Sequence, residues 1–251
     1  MTARTPIALL GVALLAQGCV IKISTAEDEV LVDETFEGID SIDDIVAVHL
    51  DLGSGGAVVL GGDMDTITVH RELEWTDDPP EVSVEVIDGV LEIRGRCDET
   101  DLWCGMDHTI GMPSCIPLIA DLGSGGLEVD GLCGGIDADL GSGGLVLDQV
   151  AGDLVVSVGS GGVDGTNLAA TTFVGDTGSG GMNLEWNTTP QDIDISAGSG
   201  GIDLVVPVDD YDLDLDAGSG GIDVTGLTDN DDAPNHIRVS VGSGGVSVTG
   251  R

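Results

Sequence analysis

A four-residue motif, Gly-Ser-Gly-Gly, recurs eight times along this chain, and its spacing restricts the fold more than any other feature of the sequence. After a first interval of 70 residues, the copies follow one another at 18, 18, 19, 20, 20 and 24 residues. A period near 20 is typical of solenoids, in which each repeat covers the hydrophobic face of the next. The copies begin at Gly53, Gly123, Gly141, Gly159, Gly178, Gly198, Gly218 and Gly242.

Apolar and polar residues alternate on both sides of each glycine quartet. Ile193 and Ile195 precede one quartet, and Ile202 and Leu204 follow it. A period of two indicates a strand with one buried face, and glycine permits a sharp corner between two strands. The sequence therefore predicts an all-β fold, a three-sided β-solenoid (β-helix) with Gly-Ser-Gly-Gly corners and about 18–20 residues per coil. A phosphate-binding loop is not predicted, because the quartets lie between strands and carry no lysine.

The N-terminus has the pattern of an export signal followed by a lipid attachment site. The apolar run over residues 7–16 is shorter than the roughly 20 residues that a membrane-spanning helix needs. Ala16 and Gly18 precede Cys19, and this arrangement resembles a bacterial lipobox. The resemblance implies a lipoprotein signal peptide over residues 1–18 and lipidation of Cys19, which would hold the exported protein at the cell envelope, with the outer membrane favoured. The alternative is an ordinary signal peptide, with Cys19 removed or paired.

Beyond Cys19 the sequence divides into a short acidic segment and one repeat domain. Residues 19–35 are predicted to form the lipidated terminus and an acidic tether. Residues 36–251 are predicted to form the solenoid, with larger initial coils or a cap over 36–122 and regular repeats over 123–251. The chain ends on an alternating stretch with no obvious cap, so that self-association through its last strand, residues 246–251, is an alternative role.

The repeat domain resembles a known bacterial family. The stretch over residues 88–97, the cysteine-bearing loop after it and the Gly-Ser-Gly-Gly-hydrophobic repeats are similar to the bacterial putative adhesin family, whose domains of unknown function are related to auto-transporter adhesin heads. Family repeats typically read Gly-Ser-Gly-Asp, whereas glycine takes the fourth position in all eight copies here, from Gly56 to Gly245. The resemblance implies a right-handed β-helix-like fold at the cell envelope and no established activity.

Four further cysteines predict two disulfides in an exported chain. Cys115 and Cys133 each lie eight residues before a quartet, and so occupy the same position in consecutive coils. Stacked residues lie about 4.8 Å apart, within the roughly 4.4–6.8 Å between Cα atoms that a disulfide requires. We predict a Cys115–Cys133 disulfide between coils and a local Cys97–Cys104 disulfide. The alternative is a zinc site, which the absence of a Cys-x-x-Cys spacing disfavours.

Aspartates at a 20-residue period are the candidates for binding chemistry. In coils stacked in chain order, Asp192 would lie on Asp212, Asp194 on Asp214 and Asp203 on Asp223. Water and salt would screen such columns, or divalent cations would bridge them, since Ca²⁺ prefers several carboxylate oxygens. No firm metal site is predicted, and Asp194, Asp214, Asp203 and Asp223 are the candidate ligands for weak Ca²⁺ binding. The quartets also resemble calcium β-roll repeats, although their period is 18–20 residues and not nine.

Charge and composition exclude several functions. The chain has 46 acidic and 7 basic residues and a net charge of -39, so nucleic acid is not expected as a partner. The four histidines are scattered without metal-ligand spacing, and the abundant serines lie in corners, so no catalytic group and no cofactor are predicted. We therefore predict a non-enzymatic envelope lipoprotein with an adhesin-like structural or display role. The alternatives are a self-associating scaffold, a divalent-cation-binding surface protein and, less favoured, a polysaccharide-active enzyme.

Overall fold

A computed structural model describes the backbone of Val20–Ala26 and Glu29–Glu37 and residues 42–76, 78–98 and 104–251. The predicted signal peptide and Cys19 lie outside the described residues. Apart from a short 3₁₀ helix, Ile42–Asp44, the regular elements of the described residues are strands. The part before the regular repeats contains β1 (Val20–Ala26), β2 (Glu29–Glu37), β3 (Ala47–Ser54), β4 (Ala57–Gly62), β5 (Thr68–Trp75), β6 (Glu81–Ile87), β7 (Val90–Arg96) and β8 (Cys104–Pro113).

The regular repeats supply the middle of the fold, and the last five strands close the chain. The repeats contain β9 (Leu118–Ser124), β10 (Leu127–Asp130), β11 (Ile136–Ser142), β12 (Leu145–Asp148), β13 (Ala151–Ser160), β14 (Val163–Ser179), β15 (Met182–Trp186), β16 (Asp192–Ser199) and β17 (Ile202–Val206). The C-terminal part contains β18 (Asp210–Ala217), β19 (Ile222–Thr225), β20 (Thr228–Asp229), β21 (Asn235–Ser243) and β22 (Val246–Gly250).

These strands form two sheets that share the long strand β14. The first is a strongly curled sheet of twelve strands in the order β1-β2-β5-β8-β4-β10-β12-β14-β15-β17-β22-β19. The second runs β6-β7-β3-β9-β11-β13-β14-β16-β21-β18-β20. The prediction of an all-β fold is confirmed.

The repeat unit is a winding, which consists of a strand of the second sheet, a glycine quartet and a strand of the first sheet. Windings stack in parallel, so that Leu118, Ile136 and Leu154 are direct neighbours in the second sheet. The inward side chains of successive windings build one continuous core. Phe173 and Trp186 are the largest members of its middle part and meet edge to face, with ring centroids 5.7 Å apart. The predicted period of 18–20 residues therefore is the distance along the chain between vertical neighbours in this part of the fold.

The quartet must contain glycine at its third position because the corners of neighbouring windings touch through their backbones. Gly143 has a φ of 134°, and a side chain there would collide with the carbonyl oxygen of Gly125 in the winding before it. Gly161 has the same relation to Gly143. The close approach, together with the left-handed backbone, fixes glycine at this position.

Chain order and spatial order differ at the C-terminal end, which corrects one prediction. The last winding, β21 and β22, lies between the windings β16/β17 and β18/β19. Three predicted aspartate pairs are therefore not neighbours. His236 separates Asp192 from Asp212, Arg238 separates Asp194 from Asp214, and Ser247 separates Asp203 from Asp223. An in-order stack would oppose like charges, which destabilises adjacent strands, whereas the observed order interposes the arginine Arg238 and the histidine His236.

The same insertion corrects the prediction about the exposed end of the chain. Residues 246–251 were predicted to leave an uncapped strand, but β22 is paired on both sides, with β17 and with β19. The outermost winding is β18/β19 instead.

The other end of the stack is covered by antiparallel strands. The winding β3/β4 lies between β7/β8 and the first regular winding, β9/β10. On the far side of the winding β7/β8, β6 pairs with β7 in the second sheet. In the first sheet, β5 and then β2 follow β8. The region predicted to be an acidic tether contains β1 and β2, and β2 is paired with β5. Val30, Leu31 and Val32 give β2 a strand-forming composition.

Candidate functional site

The outer face of the second sheet carries a column of aspartates, one from each of several windings. The ladder aligns Asp51 with Asp121 and Asp121 with Asp139, so that three carboxyl groups follow one another on adjacent strands. Asp176 continues the same column two windings further on, after Ser157. Adjacent strands lie about 4.8 Å apart, which sets the spacing of this array.

Histidine and arginine side chains pair with the column at its N-terminal end. His49 bridges two carboxylates, with Nδ1 2.9 Å from Glu92 and Nε2 2.8 Å from Asp121. Asp51 pairs with Arg96, and Arg94 lies 4.0 Å from it. Within the described residues, the ion pairs of lysine, arginine and histidine do not extend to Asp137, Asp139 or Asp176. The middle of the outer face is therefore a concentrated, unneutralised negative surface.

An arginine and a histidine pair with aspartates of the C-terminal windings. Arg238 lies 2.9 Å from Asp192, and His236 Nδ1 lies 3.1 Å from the carboxylate of Asp212. These two residues come from the inserted winding. The predicted calcium ligands Asp194 and Asp214 therefore face Arg238 across the ladder, and Asp203 and Asp223 face Ser247. The structure does not bring the four predicted ligands together.

A hydrogen-bonded polar cluster lies at the C-terminal end of strand β12. Asp148 accepts hydrogen bonds from Asn167 and from Thr166, each at 2.8 Å. These donors hold the pKa of the Asp148 carboxyl below its ordinary value. Gln149 reaches from Asp148 toward Asp130 in the preceding winding, at 3.3 Å. The cluster links consecutive windings through side chains as well as through the backbone.

A third acidic group lies beside the outermost winding. Ligand atoms of Asp212, Asp229 and Asp231 lie within 4.8 Å of one another. One oxygen of Asp229 already accepts a hydrogen bond from the Leu213 amide at 3.0 Å. The repeat pattern offers no signal for this group, because Asp229 and Asp231 lie between the last two quartets, outside the alternating stretches. Only the return of the chain along β20 sets them beside β18.

Both disulfides are present with the predicted connectivity. Cys115 and Cys133 join consecutive windings with their Cα atoms 4.6 Å apart. Cys97 and Cys104 close the loop between β7 and β8, with a Cα separation of 6.0 Å. A zinc site from these four cysteines is therefore not available.

One buried histidine was not singled out by the sequence. His108 is 1% exposed, and neither ring nitrogen has a hydrogen-bond partner. It is the direct ladder neighbour of Arg71 on β5. Burial, and secondly the positive charge of Arg71, lowers the pKa of His108 from 6.5 to about 4. The alternation of β8 offers a signal, because His108 takes the inward position between Met106 and Ile110.

Comparisons with known proteins add a likeness of fold. No family model matches the sequence, and no curated protein matches it. Among solved structures, the chain is similar to a putative adhesin from Bacteroides fragilis, at 14% identity and a TM-score of 0.48 over 87% of this chain and 96% of that chain. It is also similar to a putative cell adhesion protein from Clostridium sporogenes, at 16% identity and a TM-score of 0.40 over 87% and 100%. At these values the likeness supports no functional inference for this chain.

A third similar structure carries a different name. It is a putative lipid binding protein from Parabacteroides distasonis, with 13% identity and a TM-score of 0.33 over 87% of this chain and 97% of that chain. Separately, among the residues that the structure describes, no helix has the length and apolar character required to cross a membrane.

Proposed function

We propose that this chain is a non-enzymatic, adhesin-like display protein of the cell envelope, whose windings form a right-handed, three-sided β-solenoid held at the outer membrane by lipid on Cys19. The single observation that carries the display role is the unneutralised acidic surface on the middle windings, which includes Asp137, Asp139 and Asp176. The windings supply a stiff frame, because every inward row is shared between neighbours. The outward-facing side chains of the windings form the surface that a partner contacts.

The acidic surface of the middle windings carries an electrostatic cost. Directly opposed like charges, such as Asp121 and Asp139, destabilise a sheet. Toward both ends of the stack, arginine relieves this repulsion by pairing with Asp51 and with Asp192. The middle windings retain the repulsion, because the ion pairs of the described residues do not extend to Asp139 or Asp176. A surface that presents regularly spaced carboxylates suits a cationic polymer or divalent cations of the envelope matrix.

Binding to isolated envelope material tests the display role. Asp137→Asn/Asp139→Asn removes two carboxylates from the middle of the second sheet and should weaken binding at least several-fold. Asp164→Asn/Asp203→Asn removes the same charge from the exposed face of the first sheet and serves as the matched control. Equal binding by the two variants, or no binding by the parent protein, would reject the assignment of this face to display.

The anchor requires its own test, since Cys19 lies outside the described residues. Cys19→Ser should move the protein from the membrane fraction to the soluble fraction of fractionated cells and leave its folded domain intact. Radiolabelled palmitate should label the parent protein and not the variant. Retention of the variant in the membrane fraction would reject lipid anchoring.

A further inference from the structure

The outermost winding leaves apolar side chains uncovered. Ile222 and Val224 are 47% and 39% exposed. Val246 and Val248, their direct ladder neighbours, are 2% and 0% exposed. The inward-facing apolar positions therefore continue into β19, but no further winding of the described chain covers them. Leu213 and Leu215 of β18 are likewise only partly buried.

The outer backbone edge of this winding is also largely unpaired within the described residues. In that part of the chain, β19 pairs with β22 alone. The outer edge of β18 pairs with β20 only at Asp210 and Tyr211. The Asp229 carboxylate accepts a hydrogen bond from the backbone amide of Leu213. The opposite end of the stack differs, because β6 and β5 cover β7 and β8 there. The molecule thus has one covered end and one open end.

The inner side of β18 shows which kind of strand this edge accepts. Its outward residues Asp212, Asp214 and Asp216 alternate with apolar ones. The strand bound on its inner side, β21, places His236 beside Asp212 and Arg238 beside Asp214. Apolar residues of β21 alternate with His236 and Arg238 and enter the core. The acidic-apolar strand β18 is matched here, in parallel register, by an apolar strand whose outward residues include an arginine and a histidine.

Charge argues against a second copy as the occupant of the open end. Two copies meeting end to end would bring the aspartates of one β18 against those of the other, and Asp223 lies on the same winding. Asp229 and Asp231 add further negative charge near Asp212. Opposed like charges on adjacent strands are unfavourable, whereas a cationic strand meets complementary charge along the whole edge.

We infer that the outer edge of β18 and β19 is a docking edge for an extended cationic segment of a partner protein, which adds to the stack as one more winding. The segment alternates lysine or arginine with apolar residues. Its backbone pairs with the free edge, its cations face Asp214 and Asp216, and its apolar residues cover Ile222 and Val224. The inference goes beyond the display role, because it concerns the end of the stack and not its outer faces.

The chain itself supplies a probe for this edge. A labelled peptide with the sequence of residues 235–251 reproduces the strand pair that β18 and β19 already bind on their inner side. We expect it to bind the folded full-length protein in a fluorescence anisotropy titration. A peptide with the His236→Asp and Arg238→Asp changes should bind at least tenfold more weakly. Binding of the parent peptide should weaken as salt is added.

Variants of the protein locate the binding. Ile222→Asp/Val224→Asp should abolish peptide binding with little effect on the melting temperature, since both side chains are already exposed. Val155→Asp/Val174→Asp adds the same charge at two exposed apolar positions of the second sheet and should leave peptide binding unchanged. Failure of the peptide to bind, or binding that survives Ile222→Asp/Val224→Asp, would overturn the inference.

Sedimentation of the protein alone completes the test. We expect a monomer at concentrations up to those of the titration. A dimer that Ile222→Asp/Val224→Asp dissociates would identify a second copy as the occupant and overturn the inference. Because no envelope material is used, these outcomes are independent of the binding experiment that tests the display role.

Discussion

At the scale of single residues, the four positions of the quartet have different physical requirements. The third glycine is fixed by its left-handed backbone and by contact with the corner of the neighbouring winding, as Gly143 shows. The fourth position varies between corners. A side chain at Gly181 would collide with the Gly201 oxygen, whereas one at Gly144 would meet the Gly162 oxygen at 3.7 Å, an ordinary van der Waals distance. In the corner that contains Gly143 and Gly144, glycine is therefore required at the third position and not at the fourth.

Substitutions in one corner test this difference. Gly143→Ala should lower the free energy of unfolding by about 3 kcal/mol, from the unfavourable φ and the backbone collision together. Gly144→Ala, in the same corner, should change it by less than about 0.5 kcal/mol. Urea denaturation followed by circular dichroism measures both. Equal losses for the two variants would contradict the steric assignment.

The buried histidine predicts a specific pH dependence. His108 has a pKa of about 4 in the folded protein and an ordinary value of 6.5 when unfolded, so the unfolded state binds the proton first as the pH falls. Stability should therefore decline from pH 6.5 toward pH 4, by up to about 3 kcal/mol from this group. His108→Leu should remove this component of the pH dependence. Parallel curves for the parent and variant between pH 7 and pH 5 would count against it.

At the scale of elements, insertion of the last winding is the main departure from chain order. The repeats of β16/β17 and β18/β19 are similar enough to stack directly, and their hydrophobic rows are compatible with either order. The polar faces differ, because β21 carries His236 and Arg238 where its two neighbours carry aspartates. Electrostatics on the outer face thus favours an order that the apolar pattern leaves open.

Charge reversal at Arg238 tests this account of the insertion. Arg238→Glu should lower the free energy of unfolding by about 1 kcal/mol at low salt, because an exposed ion pair is lost and a like-charge row is created. Arg238→Gln should have a smaller effect, and 1 M NaCl should diminish both. Thermal denaturation at two salt concentrations measures them. A loss independent of salt would show that packing, and not charge, places β21.

The disulfide between windings makes a separate contribution. Cys115→Ser/Cys133→Ser should lower the free energy of unfolding by about 3 kcal/mol, since the bond closes a loop of 18 residues in the unfolded chain. Chemical denaturation of the non-reduced parent and the variant compares them. Selective reduction of the Cys115–Cys133 bond in the parent protein, with the Cys97–Cys104 bond intact, should reproduce the loss. An unchanged denaturation midpoint would show that the Cys115–Cys133 bond adds no constraint.

At the scale of the whole molecule, the aspartates of the acidic outer face repel one another along the stack of windings. Asp139→Asn should raise the free energy of unfolding by about 0.5 kcal/mol at low salt, because it relieves the contact with Asp121. The hypothesis of weak calcium binding now applies to this column, and predicts that millimolar Ca²⁺ raises the melting temperature beyond an ionic-strength control. Asp139→Asn should reduce that gain; an equal effect of Ca²⁺ and the control salt would reject the hypothesis.

Much of the fold could be predicted from the sequence because its determinants are local and repeated. Alternation about each quartet identified the strands and their buried faces, and the shared position of Cys115 and Cys133 identified vertical neighbours. The period identifies vertical neighbours only where successive windings stack in the order of the chain. It failed for Asp192 and Asp212 because insertion of a later winding leaves every local pattern unchanged.

The sequence by itself determined that the chain is all-β, where its corners fall and which side chains face the core, since these depend on residue spacing and on glycine's backbone freedom. Only the tertiary structure decided the order of the terminal windings, and hence which charges meet, where the open end lies and how His108 is buried. These features depend on contacts between segments that are distant in sequence. The repeat pattern is compatible with more than one stacking order, and charge and solvent exposure determine which order forms.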